Sequence, residues 1–200
     1  MAESVLVPGG RDVRGRLDAA GGEATSCVVA CPPHPQQGGT RRDPRLRWVS
    51  LRLQERGIDC LRFDYGPWDE GRGERADARN AVDWAHDRYD RVALFGYSFG
   101  ATIALLAAAD LDGLAAVSAL APAASLGEDR DAVAAVDRTV APLQVLVGED
   151  DGTVDWKPVA ERAREREASV KTLPGDHFFG GCRDRVGEAV GAFLAEHASG

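Results

Sequence analysis

The chain has 200 residues, of which 44% are hydrophobic and 28% charged. Those proportions suit one globular domain over residues 1–200, large enough to bury on the order of 70% of its unfolded surface. A net charge of −8 repels phosphate backbones and anionic lipid, which argues against nucleic acid and membrane surfaces as partners.

The start, Met1-Ala2-Glu3-Ser4, has no basic region ahead of an apolar one, and no apolar run is long enough to span a bilayer, so a cytoplasmic location is expected. Only Lys157 and Lys171 stand against many arginines, a bias that fits a salt-loving source or a GC-rich genome. The four cysteines, Cys27, Cys31, Cys60 and Cys182, lack C-x-x-C spacing and read as buried free thiols ahead of a metal site or disulfide.

In chain order, residues 5–7 and 13–17 form two short antiparallel strands at a sheet edge. Residues 25–31 are a continuous apolar strand of the doubly covered, parallel kind. A loop at residues 32–40 follows, where three prolines and two glycines exclude helix and strand. Leu46, Val49, Ser50 and Leu53 give one face of a helix that Gly57 ends. A second parallel strand, residues 58–63, leads into a loop at 64–73, and Ala78, Ala81, Val82 and Ala85 form the inner stripe of the next helix.

The central strand, residues 91–95, runs into Gly96-Tyr97-Ser98-Phe99-Gly100 and then an apolar helix that must be buried all round. Strand, sharp corner and buried helix are the context that the Gly-x-Ser-x-Gly nucleophile elbow requires. Residues 114–120 read as a further strand and 124–139 as a small lid or surface helix. Residues 143–147 are a strand ending in Gly148-Glu149-Asp150-Asp151-Gly152. Asp155 is placed to cap a helix reaching about residue 167. Residues 169–173 are the last strand, and the closing helix buries Val186, Val190, Phe193 and Leu194. This alternation predicts an α/β fold with a mainly parallel sheet, helices on both faces and no large cap domain.

In such a sheet, sites gather beyond the carboxyl ends of the strands. Ser98, Asp150, Asp151 and His177 all follow strand ends, in the order Ser, Asp, His. A serine hydroxyl needs a base within hydrogen-bond reach, and the base needs a carboxylate to fix its tautomer. His177 is the base expected here, because His86 and His197 read as solvated and His34 as structural or a substrate contact. Asp150 and Asp151 both remain open as the acid on placement alone, with Asp155 and Asp176 nearby. Tyr65, Trp68, Tyr97, Phe178 and Phe179 could line an acyl or alcohol pocket or belong to the core.

The chain resembles the small α/β-hydrolases of the dienelactone-hydrolase-like group. The resemblance rests on Cys31-Pro32-Pro33-His34-Pro35-Gln36-Gln37-Gly38-Gly39-Thr40, on Gly71-Arg72-Gly73-Glu74 with Asp77, and on the elbow with Asp151 and His177. Pro32 replaces the first histidine of the group's His-Pro-His-Pro motif, and Ser98 stands where dienelactone hydrolases proper use cysteine, so their substrate does not transfer. In the group's Gly-x-x-Asp-x-x-Val turn, Asp151 takes the acid's place. The resemblance also implies an oxyanion hole built from the Phe99 amide and a loop amide supplied by His34, Gln36 or Gln37, with Gln36 preferred.

The expectation is therefore a serine hydrolase cleaving a small carboxylic ester or thioester through an acyl-enzyme, with Ser98, His177 and Asp151 as nucleophile, base and acid. No metal or organic cofactor is implied, and the expected partner is a small-molecule substrate. The rival readings are a binding module without chemistry on the same fold, and an acyltransferase or peptidase using the same three residues.

Overall fold

The computed structural model describes residues 2–127 and 129–198. Eight strands form one sheet: β1 (Ala2–Val7), β2 (Val13–Asp18), β3 (Ser26–Cys31), β4 (Asp59–Asp64), β5 (Arg91–Tyr97), β6 (Val117–Leu120), β7 (Leu143–Gly148) and β8 (Ser169–Leu173). Their order across the sheet is β1-β2-β4-β3-β5-β6-β7-β8. β1 and β2 pair antiparallel at one edge, and from β4 to β8 every pairing is parallel. The antiparallel edge arises because Pro8, Gly9 and Gly10 make a tight return, whereas from β3 to β8 each connection between consecutive strands carries a helix.

Helices α2 (Arg72–His86), α3 (Phe99–Ala108), α4 (Ala132–Arg138) and α5 (Lys157–Glu165) cover one face, and α1 (Pro44–Gln54) and α6 (Arg183–Ala198) the other. The central strands β3, β5 and β7 are therefore apolar on both sides, with Val28, Val29, Ala93, Leu94, Val145 and Leu146 all fully buried. Every residue of α3 is buried, so this helix forms the middle of its layer.

Several boundaries differ from the sequence reading. The proline-rich loop contains one 3₁₀ turn, Pro35–Gln37, since Pro35 can begin a helical turn that its missing N–H does not disturb. α2 begins at Arg72, because the carboxylate of Glu74 accepts the Asp69 and Gly71 N–H groups at 2.9 and 2.7 Å and closes the first turn. Asp155 does not cap α5; Trp156 flanks that helix with no side-chain cap bond. α6 reaches Ala198, so His197 sits in an ordered last turn, Nδ1 donating to Phe193 O at 2.9 Å. Phe193 is only partly buried. Within 124–139 the chain forms α4 and an isolated bridge between Ser125 and Asp131, with no helix over the remainder of its described part.

Two buried ionic clusters fasten the loops. Asp77, with a fully buried side chain, accepts from Arg11 Nε at 2.8 Å and from the Gly66 N–H at 2.9 Å. Arg11 can reach it because a Cβ on Gly73 would overlap the guanidinium. Asp18 accepts from Arg62 Nε at 2.6 Å and Ser50 Oγ at 2.7 Å. Burial alone would raise the Asp18 carboxyl, but these donors outweigh it and hold it below its ordinary value. Among the described residues no helix is long and apolar enough to cross a membrane.

All four cysteines are free and buried. Burial pushes the Cys60 thiol up to about 12 and raises Cys27 and Cys31 as well, so the reactive thiolate is scarce at neutral pH. Ellman's reagent at pH 8 is expected to leave these three thiols unmodified in the native protein and to titrate them once denaturant is added. Rapid native reaction would contradict the packing described.

Candidate active site

Three loops at the carboxyl ends of β5, β7 and β8 bring Ser98, Asp151 and His177 together. Ser98 joins β5 to α3 with φ 56° and ψ −124°, a conformation that costs a residue with a side chain on the order of 1–3 kcal/mol. The surroundings enforce it. A Cβ on Gly96 would overlap the Gly100 carbonyl, and a Cβ on Gly100 would overlap the carbonyls of Cys31 and Pro32, so backbone packs on backbone at both positions. The Ser98 N–H donates to Leu120 O at 2.8 Å, and its carbonyl accepts from Ala101 N at 2.9 Å. Phe99 and Gly100 open α3 and have no preceding turn to accept their N–H groups, which lie at the positive end of the helix dipole.

His177 is held by its backbone. The Tyr97 hydroxyl donates to His177 O at 3.1 Å, and burial pushes that phenol up to about 12, so it keeps its proton. Phe179, fully buried at φ 54°, pins the same loop from beneath. Gly148 lets the loop approach: a Cβ there would stand 2.7 Å from the carbonyl oxygens of Gly175 and Asp176. The ring itself is 4% exposed.

The His177 Nδ1 lies 2.7 Å from Asp151 Oδ2, and its Nε2 lies 2.9 Å from Ser98 Oγ. A carboxylate can only accept, so Nδ1 carries the ring proton and Nε2 presents its lone pair to the hydroxyl. The remaining Asp151 oxygen, Oδ1, accepts from the Thr153 N–H at 2.9 Å, and the Trp156 indole donates to the Asp151 carbonyl at 3.0 Å. Asp150 is exposed, and its N–H donates to Gly175 O at 3.0 Å. Of the two adjacent aspartates, Asp151 is the one in contact with the imidazole.

The cleft beside Ser98 has a volume of about 320 Å³, with His34, Gln37, Phe99, Leu126, Val154 and Phe178 in its walls. His34 packs between Trp68 and Phe99, with ring centroids at 4.6 and 4.8 Å and the rings tilted, and burial lowers its pKa against the opposing charge of Glu74. Phe178 is 56% exposed at the mouth. Tyr97 borders the cleft although its hydroxyl is committed to His177.

Three expectations need correction. Gln36 is exposed at the far side of the 3₁₀ turn and does not border the cleft, because that turn directs Gln37 and Gly38 there instead. Gln37 is no donor either, since its N–H donates to His34 O at 3.0 Å; no hydrogen bond among the described residues uses the His34 N–H. Tyr65 is a core residue edge-on to Phe63 and Phe99, its hydroxyl donating to Pro32 O at 3.2 Å. Trp68 backs His34 without bordering the cleft.

Asp43 and Arg45 border the cleft and were not foreseen there. Arg45 Nη2 pairs with Asp43 Oδ2 at 2.7 Å, and its guanidinium carbon stands 4.4 Å above the Tyr97 ring. In the sequence, Asp43-Pro44 signals only a helix start, a role it also performs: Asp43 accepts from the Arg45 N–H at 2.8 Å.

The doubly covered sheet, the strained serine corner and the lack of an inserted cap among the described residues define an α/β serine hydrolase of lidless architecture. The chain belongs to the X-Pro dipeptidyl-peptidase (S15) family, whose model matches residues 64–173, more than half its length.

Among solved structures it is similar to a Xanthomonas campestris α/β serine hydrolase without a lid, at 22% identity and TM-score 0.84, covering 100% of this chain and 96% of that one. It is also similar to the Pyrococcus furiosus esterase Pf2001, at 16% identity and TM-score 0.84, covering 100% and 93%. A dienelactone hydrolase from Anabaena variabilis matches at 24% identity and TM-score 0.76, covering 98% and 96%. No curated protein matches the sequence significantly.

A methyl group at position 100 has nowhere to go. Gly100→Ala is expected to destabilise the protein by about 3 kcal/mol, read as a lowered urea midpoint at unchanged slope. An unshifted midpoint would show that the contact with the end of β3 is not close.

Proposed function

We propose that this chain hydrolyses small carboxylic esters or thioesters through an acyl-enzyme, with Ser98 as nucleophile, His177 as general base and acid, and Asp151 as the carboxylate that orients the imidazole. The observation that carries this reading is the continuous line of hydrogen bonds from Ser98 Oγ through His177 to Asp151, at 2.9 and 2.7 Å.

As Ser98 Oγ forms its bond to the carbonyl carbon, its proton passes to His177 Nε2 and the carbonyl oxygen becomes an oxyanion. Asp151 stabilises the imidazolium without taking its proton. Collapse of the intermediate breaks the bond to the leaving alcohol or thiol, which takes the proton from Nε2. Water then repeats the sequence, giving its proton to Nε2 and its oxygen to the acyl carbon, and Ser98 is released.

The oxyanion is assigned to the Phe99 N–H at the positive end of α3 and to the His34 N–H across the cleft. Each such donor is worth about 3 kcal/mol to the transition state. The small cleft, with Phe178, Leu126 and Val154 at one side, favours short or compact acyl groups.

The family match supports a second reading, cleavage of a peptide bond next to proline with the same residues. p-Nitrophenyl acetate and Gly-Pro-p-nitroanilide separate the two: ester turnover without anilide turnover is expected, and the reverse would favour the peptidase. A fluorophosphonate probe is expected to label Ser98. Ser98→Ala and His177→Ala are each expected to lower ester turnover by about three powers of ten or more. Asp151→Asn should cost far more than Asp150→Asn. Unchanged turnover in the serine and histidine variants would sink the assignment, whereas a wild type that neither turns over the ester nor takes the probe would favour a binding module that does no chemistry.

A further inference from the structure

The open face of the antiparallel edge, beside α1, holds a depression lined by arginines that the proposed chemistry does not use. In the sheet register Ser4 on β1 faces Arg16 on β2, and Arg16 faces Arg62 on β4, so two guanidiniums stand directly opposite one another. Like charges in that arrangement repel. Asp18 offsets only one of them, accepting from Arg16 Nε at 3.1 Å and Arg62 Nε at 2.6 Å.

Arg62 is only 6% exposed, which makes its charge part of a built site and not a solvated surface group. Its Nε serves Asp18 and its Nη1 the Arg41 carbonyl, and no acceptor among the described residues takes Nη2. Arg41 is itself paired with Asp64. Arg42, Arg47 and Arg183 are exposed around this pair and have no ion pair among the described residues. Two adjoining cavities of about 380 and 460 Å³ share Arg16, Arg47 and Arg62 in their walls. Arg42 borders one and Arg183 the other, and among the described residues Asp18 and Glu3 are the carboxylate residues that line the two cavities. A chain of net charge −8 thus keeps an unneutralised positive hollow at one place.

We propose that this hollow binds a small soluble oxyanion of more than one charge, a phosphate monoester or pyrophosphate group, at a site separate from the Ser98 cleft. Planar guanidinium forks match the oxygens of phosphate, and the Ser4 hydroxyl supplies a further neutral donor. A longer polyanion would run onto the acidic remainder of the surface, which selects a ligand confined to the hollow. The segment 41–47 separates the two sites. Arg42 and Arg47 border the hollow, whereas Asp43 and Arg45 border the cleft.

The test is calorimetric titration of the purified protein with inorganic pyrophosphate at low ionic strength. One saturable site is expected, weakening as sodium chloride is added and about tenfold weaker in the Arg42→Gln/Arg47→Gln double variant. Both substituted residues are exposed and unpaired, so the circular dichroism spectrum and p-nitrophenyl acetate turnover of that variant are expected to match wild type. Co-sedimentation with phosphatidylcholine vesicles containing phosphatidic acid is expected to be absent. The proposal is overturned if no saturable binding occurs in the millimolar range, or if the double variant binds as tightly as wild type. Vesicle binding that the double variant loses would overturn the soluble ligand in favour of a lipid headgroup.

Discussion

The structure depends on one close approach: the first turn of α3 lies directly against the end of β5 and the end of β3. Gly96 faces the Gly100 carbonyl, and Gly100 faces the carbonyls of Cys31 and Pro32, without side chains between them. This packing holds Ser98 in a conformation it would otherwise avoid and turns its hydroxyl toward His177. It also presses the Phe99 ring beneath His34, so the loop after β3 is laid across the start of the helix. The geometry of Ser98 and the roof of the cleft therefore have a common cause.

Buried polar groups then set the loops around that corner. Asp77, Arg11 and Gly66 tie the β1–β2 turn to the segment after β4, and Glu74 closes α2 onto Asp69 and Gly71. The motif Gly71-Arg72-Gly73-Glu74 with Asp77 thus acts through the backbone that carries Trp68, which in turn supports His34. Buried ion pairs contribute little net stability relative to apolar packing. Here they fix one loop path where several would satisfy the hydrophobic core.

Much of this was legible in the sequence, and the reasons differ by element. Strands β3, β5 and β7 and helix α3 are uniformly apolar because both faces of the sheet are covered, so composition and punctuation by glycine and proline sufficed to place them. That Ser98, His177 and one of Asp150 and Asp151 gather at one sheet edge was legible through spacing after strand ends, which topology converts into proximity, whereas the preference for Asp151 came only from the resemblance of its turn. Asp155 misled because a capping residue type two positions ahead of a helix start need not cap it, and Trp156 stands at the capping position instead. The start of α2 was hidden because Gly71 and Gly73 read as loop residues, whereas Glu74 supplies the closing bonds from a side chain three positions on. Tyr65 and Gln36 were misplaced because pattern cannot tell which side of a loop meets the cleft. The Arg16–Arg62 juxtaposition depends on strand register between β2 and β4, which no local pattern encodes.

Part of the cleft wall comes from loops that hold none of Ser98, Asp151 and His177. Ser98, Asp151 and His177 follow β5, β7 and β8, while His34 and Gln37 follow β3 and Leu126 follows β6. Substitutions in those walls can therefore retune which molecules are admitted while the hydrogen bonds joining Ser98, His177 and Asp151 stay intact. A lidless scaffold built in this way can exchange part of its rim without displacing those three side chains.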